Sequence, residues 1–216
     1  MKIAAGAIAV VLILLVLAQL VLPGIAEQQL RDRLSSSGTV ESVDISAFPA
    51  IELLWNDADS VVVRMRSYHS STGHLGTLLG EAGGVDKVDA SAGTLTAGLL
   101  TVHDGVLHKR GEQVSASANV TEADLRAAVP VLQAVAPVAS GGGELTLRGT
   151  ATLFGVTATV DATARAQNGA IVVTPDVPFG GFATITAFSN PAVEVQSIAA
   201  SPTADGFRVS AVGRIR

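Results

Sequence analysis

No cysteine occurs in the 216 residues of this chain. Disulfides, thiolate metal ligands, cysteine nucleophiles and a lipid-modified cysteine are therefore excluded, and an exported form must be held together by its core alone. Charge is scarce as well: Asp, Glu, Lys and Arg make up 15% of the chain, and no basic cluster forms. That removes the electrostatic footprint of a nucleic-acid binder. The net charge of −5 likewise speaks against attraction to anionic head groups by bulk charge. Aromatics reach only 4%, so the core must use many small side chains. What is abundant is Val, Ala, Thr and Gly, within a hydrophobic content of 48%, which excludes a disordered chain and suits strands and turns.

Ile3 to Leu22 contains no charged residue, and Gln19 is its only strongly polar member. As a helix it would rise about 30 Å, one hydrocarbon core. Lys2 precedes it, favouring a cytoplasmic N-terminus, and Pro23-Gly24 is expected to end it. A cleaved signal peptide has the same polarity but a shorter apolar stretch, of about 7–15 residues, and Gly24-Ile25-Ala26 would be a poor cleavage site. Two segments are expected: 1–26, a membrane anchor or signal segment, and 27–216, a β-rich domain outside the cytoplasmic membrane. The protein is then single-pass, or secreted to a periplasm-like space if the segment is cleaved.

Beyond this segment Ala26, Leu30 and Leu34 recur at i, i+4 and i+8 among charged residues, an amphipathic helix ending near Ser35–Gly38. Val43, Ile45 and Ala47 alternate with polar residues as a strand, broken at Phe48-Pro49. Residues 51–55 fit helix or strand, and 60–66 reads as a strand. Residues 73–84 are ambiguous because five glycines interrupt leucines at helical spacing. Strands are expected at 85–96 and 98–103, with a hairpin turn at Asp104-Gly105 before 106–109. Val114, Ala116, Ala118 and Val120 alternate with polar residues over a half-buried strand. Thr121 would cap a helix whose apolar face runs from Leu125 to Val135 or Ala136, with Pro130 ending or kinking it. Gly141-Gly142-Gly143 reads as a flexible break. Alternation over 145–153 and 156–165, the hairpin signal Asn168-Gly169 and a final pair at 192–200 and 206–215 complete a run of strands.

Tight turns rather than helices join these strands, which indicates an antiparallel, meander-like sheet with few helices. Its inner positions are rich in alanine, which fills little space. Either a helix packs tightly there or a groove remains for an apolar ligand. Candidate lining residues are Val114, Ala116, Ala118, Leu145, Leu147, Val156, Ala158 and Val160; Phe179, Phe182 and Phe188, near a Gly-rich loop, would rim the mouth or pack beneath the loop.

No catalytic motif is present: no His-Glu-x-x-His, no Gly-x-Ser-x-Gly, no phosphate-binding Gly-rich loop ending in Lys-Ser/Thr. His103 and His108 would meet across the expected Asp104-Gly105 turn; exposed polar residues beside a hairpin is the simpler reading, and no metal site is assigned. His69, close to Ser70 and Ser71 in sequence, makes no triad by proximity alone. No cofactor is expected, and the chain reads as no enzyme.

The order of features resembles a known family. The membrane segment leads through Leu22-Pro23 into an amphipathic helix, and a strand ends at Phe48-Pro49. Thr121-Glu122-Ala123-Asp124-Leu125 opens a helix mid-chain, and the C-terminus reads Val195-Gln196-Ser197-Ile198 and Asp205 to Gly213. Over roughly residues 20–216 this is similar to the actinobacterial LmeA-type phospholipid-binding proteins of the cell envelope. The resemblance implies an α+β fold like the tubular lipid-binding domains, a curved, mostly antiparallel sheet wrapped around one or two amphipathic helices. It also implies phospholipid binding, without chemistry, in envelope lipid or lipoglycan metabolism. Residues 184–190 depart from the leucine- and proline-rich loop the resemblance leads one to expect. A structural β domain binding an envelope protein partner is the alternative, and an enzyme acting on envelope glycolipid a third.

Overall fold

A computed structural model describes residues 19, 21–48, 53, 58–70, 82–97, 100–128, 132–153, 156–176 and 184–215. The first helix, α1, is described at Gln19 and over 21–35. Its inner side carries Ala26, Leu30 and Leu34, the spacing read from the sequence. Pro23 and Gly24 lie inside the helix instead of ending it. Contacts on both sides of them outweigh low propensity: the Gln19 side-chain amide donates to the Ala47 carbonyl (3.1 Å), and Glu27 accepts from the Ile45 amide (3.1 Å). The helix stops where Ser35 and Ser36 turn their hydroxyls back onto the Arg31 and Arg33 carbonyls, 2.7 Å each. Among the described residues no helix is long and apolar enough to cross a membrane. The expected span at 3–22 lies outside them, apart from Gln19, Val21 and Leu22.

The strands are β1 (Gly38–Ser46), β2 (Ala58–Ser70), β3 (Val85–Ala97), β4 (Leu100–Arg110), β5 (Gln113–Thr121), β6 (Leu132–Gly141), β7 (Glu144–Leu153), β8 (Val156–Gln167), β9 (Ala170–Pro175), β10 (Ile185–Phe188), β11 (Val193–Pro202) and β12 (Gly206–Ile215). They form a seven-stranded sheet ordered β1-β2-β3-β4-β5-β12-β11 and a five-stranded sheet ordered β10-β9-β8-β7-β6. Pairing is antiparallel except between β2 and β3, which run parallel, so the meander is not complete. The second helix, α2 (Glu122–Ala128), and the whole five-stranded sheet lie in the chain between β5 and β11, yet β5 and β12 pair directly.

Three turn and helix expectations are corrected. Asp104-Gly105 is not a hairpin turn but a bulge inside β4: Asp104 takes φ +49, and register slips between His103 and Val106 against β5. With partner strands on both sides, the chain cannot reverse there; it reverses at Gly111, φ +57. The helix after Thr121 ends at Ala128, and 132–141 is the strand β6. Pro130 and Pro137 both oppose a continuous helix, whereas on an edge strand such as β6 Pro137 need not donate to a ladder. The expected long helix inside the sheet is therefore absent from the described residues. Gly142 and Gly143 form a tight hairpin between β6 and β7, both with positive φ, rather than a flexible break. Asn168 and Gly169, at φ +53 and +79, make the predicted β8–β9 hairpin.

An irregularity crosses the large sheet at the level of Asp104. Register slips on β2 between Ser67 and Met65 against β1, and on β4 between His103 and Val106 against β5, while β2, β3 and β4 stay in register with one another. Met65 and Tyr68, an odd number of residues apart, consequently face the same way and are buried together; Ala92 and Leu95 behave alike. Such bulges bend strands. Both edges of this sheet are covered. On β1 the cover is α1, through the contacts of Gln19 and Glu27. On β11 it is two hairpin turns of the small sheet: Ile198 donates to Gly143 (3.3 Å) and Val195 to Gly169 (2.9 Å).

Two buried clusters sit on the inner face of the large sheet. Leu34 of α1 packs on Met65 and Tyr68 near the β1 side. Leu145 and Ala164 of the small sheet pack on Ile198 near the β11 side, with Val209 and Ala200 against them.

Candidate functional site

Register defines the face between these clusters. One row of directly opposed residues crosses all seven strands: Val43, Val63, Ala90, Leu107, Ala116, Ala211 and Ile198. Every member is apolar. The two ends are buried, Val43 at 3% exposure and Ile198 at 6%; the five between are only half-buried. Five strands at about 4.8 Å spacing make this open centre about 19 Å wide. The row on one side, with Val40, Met65, Ala92, Ala118, Val209 and Ala200, is apolar too. The row on the other side holds Ile45, Val61, Val88, Lys109, Val114 and Val195. Small and β-branched side chains make a wide, shallow, apolar floor here because neither α1 nor the small sheet reaches its middle with a buried cluster of described residues.

The expected lining residues divide. Val114, Ala116 and Ala118 lie on this floor, Val114 buried and the two alanines half-buried. Leu145 is instead core, 2% exposed, and Leu147 packs beside it. Ala158 is exposed and Val160 half-buried on β8; the Val156 side chain is outside the described residues. Phe188 is half-buried on the edge strand β10, opposite Ile171, while Phe179 and Phe182 are outside the described residues. Floor residues on β3, β4 and β12, above all Ala90, Leu107 and Ala211, were not singled out from the sequence. Their alternation is legible, but only pairing shows that they share a row with Ala116.

Among the described residues Lys109 is the one cation of the floor, and it is 2% exposed. Its ammonium turns to the carbonyls of Val85 and Gly83, and burial lowers its pKa, with the Asp86 carboxylate opposing. Spacing from Leu107 puts it on the inner face, a signal present in the sequence and not used.

His103 and His108 do not meet. His108 bonds Asp89 (2.5 Å), which also receives two 2.9 Å bonds from Arg110; the His108 contact, then Arg110, lowers the Asp89 pKa. His103 lies 3.0 Å from Asp124 on the outer face. Thr121 caps α2 as expected, accepting from the Asp124 amide (3.1 Å) and donating to its carboxylate. Among the described residues no group of three or more His, Cys, Asp or Glu is placed to hold a metal ion. Two polar depressions mark the surface. One, of about 280 Å³, is bordered by His103, Asn119 and Asp205; the other, of about 430 Å³, by Asp161, Arg165 and Asp176. Neither includes an expected lining residue.

The arrangement is that of a non-polar binding platform: a two-sheet β protein with a broad half-buried apolar floor. The chain belongs to the LmeA-like phospholipid-binding family, whose model matches residues 17–207. No curated protein and no solved structure matches it.

Proposed function

We propose that the protein binds phospholipid without covalent chemistry, laying acyl chains on the floor between Val63 and Ala211. It would do so in the bacterial cell envelope, with 27–216 outside the cytoplasmic membrane and 1–26 as anchor or signal segment, supporting envelope lipid or lipoglycan metabolism. The observation that carries this reading is the apolar row whose middle five members stay half-buried in a family of phospholipid binders. At about 0.8 kcal/mol per buried CH₂, a chain of about 15 CH₂ groups gains on the order of 10 kcal/mol before ordering costs. No acid, base or nucleophile is required for this.

The test is native mass spectrometry of the full chain, first as purified and then after delipidation and exposure to phospholipid vesicles. One or more phospholipids per molecule are expected. A protein that emerges lipid-free and takes up none would overturn the reading and leave the scaffolding alternative.

A further inference from the structure

We propose that the hydroxyl of Tyr68 donates a hydrogen bond to an ester carbonyl of the bound lipid, where α1 meets the open centre of the large sheet; this rests on the lipid-binding reading above. Tyr68 is 4% exposed, and its hydroxyl has no hydrogen-bond partner. A buried unpaired hydroxyl is unfavourable, and phenylalanine would fill the same space without that penalty. The sheet even departs from regular pairing to turn this side chain inward. Without the register slip against β1 between Met65 and Ser67, alternation would send Tyr68 to the outer face.

The surroundings select the partner. Leu34 and Met65 are buried with Tyr68, and Leu30, Val40, Val63, Ala92 and Leu95 pack against them. No cation belongs to this cluster, so a phosphate would be stripped of water without compensation. An ester carbonyl is a neutral acceptor carried next to an acyl chain, and fits. Half-buried Val63 and Ala92 link this cluster to the floor, Val63 standing in the same row as Ala90 and Leu107.

The experiment compares wild type with Tyr68→Phe in the full chain. Binding is titrated with vesicles of dioleoyl phosphatidylglycerol and of its dialkyl ether analogue, which lacks the ester carbonyls. Melting temperature is measured on the delipidated protein. Tyr68→Phe should bind the ester lipid about 5- to 10-fold more weakly and the ether lipid as wild type does, while the lipid-free melting temperature stays level or rises. Equal weakening with both lipids would make phosphate the partner and overturn the proposal. Unchanged ester binding would overturn it as well, as would a lower melting temperature without lipid, which reveals a partner inside the protein. In each case wild-type binding would leave the broader function standing; a wild type that binds neither lipid would sink both.

Discussion

Lys109 reaches along the inner face of the large sheet to the carbonyl of Val85, so a lysine side chain sits almost wholly buried in an apolar row. Burial lowers its pKa from 10.5. The unfolded chain then holds more protons than the folded one as pH rises toward 10.5, and stability should rise over that range. Lys109→Met removes the titration and leaves the Val85 carbonyl without this donor. Melting temperatures at pH 7 and pH 9 should show the variant losing ground to wild type at the higher pH. Parallel behaviour of the two proteins would contradict the buried ammonium.

Asp124 behaves in the opposite sense. The Thr121 hydroxyl, and after it His103, holds its carboxyl below the ordinary 3.8. Its stabilisation is present above that value and disappears as pH falls through the lowered folded pKa. Asp124→Asn should cost about 1 kcal/mol at pH 7, measured by urea unfolding, and the gap should close below about pH 4. A gap that persists in acid would mean that the carboxylate charge is not what stabilises this corner.

Gly206 begins β12 where a Cβ would stand 2.1 Å from the Val120 carbonyl oxygen and 2.9 Å from the Thr121 Cα. Both are backbone atoms and cannot swing aside. Gly206→Ala should destabilise by about 1–3 kcal/mol. Gly83, with nothing within 4 Å of its added Cβ, is the control, and Gly83→Ala should stay within about 0.5 kcal/mol of wild type. Equal midpoints for the two variants would refute the crowding at β5–β12.

Ala116 separates floor from core. It is half-buried with Leu107 and Ala211 opposite. Ala116→Phe should remain folded, with its unfolding midpoint little changed, but retain several-fold less phospholipid by mass spectrometry. If a tightly packed element covers the position, overpacking should cost about 1–3 kcal/mol with lipid content unaltered. Ala158 is exposed, so Ala158→Phe should change neither quantity.

Much of the local structure was legible in the sequence because it follows local rules. The i, i+4, i+8 spacing of α1, the alternation of Val114 to Val120, the Thr121 cap and the Asn168-Gly169 turn all depend on near neighbours in the chain. So did the expectation of an alanine-rich face. The failures share a cause. Asp104-Gly105 has the composition of a turn, yet strands on both sides hold it straight and allow only a bulge. Residues 132–136 suit a helical face, but two prolines and an available sheet edge make them strand. Pro23-Gly24 has the composition of a helix end, yet docking on β1 carries the helix through.

The sequence alone determined which residues alternate and where the chain is able to turn, and through its shortage of cysteine, charge and aromatics it narrowed the chemistry to apolar burial. Only the tertiary structure decided which alternating strands lie side by side. Pairing is a long-range choice, and it aligned Val63, Ala90, Leu107, Ala116 and Ala211 into one row while sending Leu145 to the core. It also decided which way Tyr68 points, because a single bulge reverses the parity of everything beyond it on a strand.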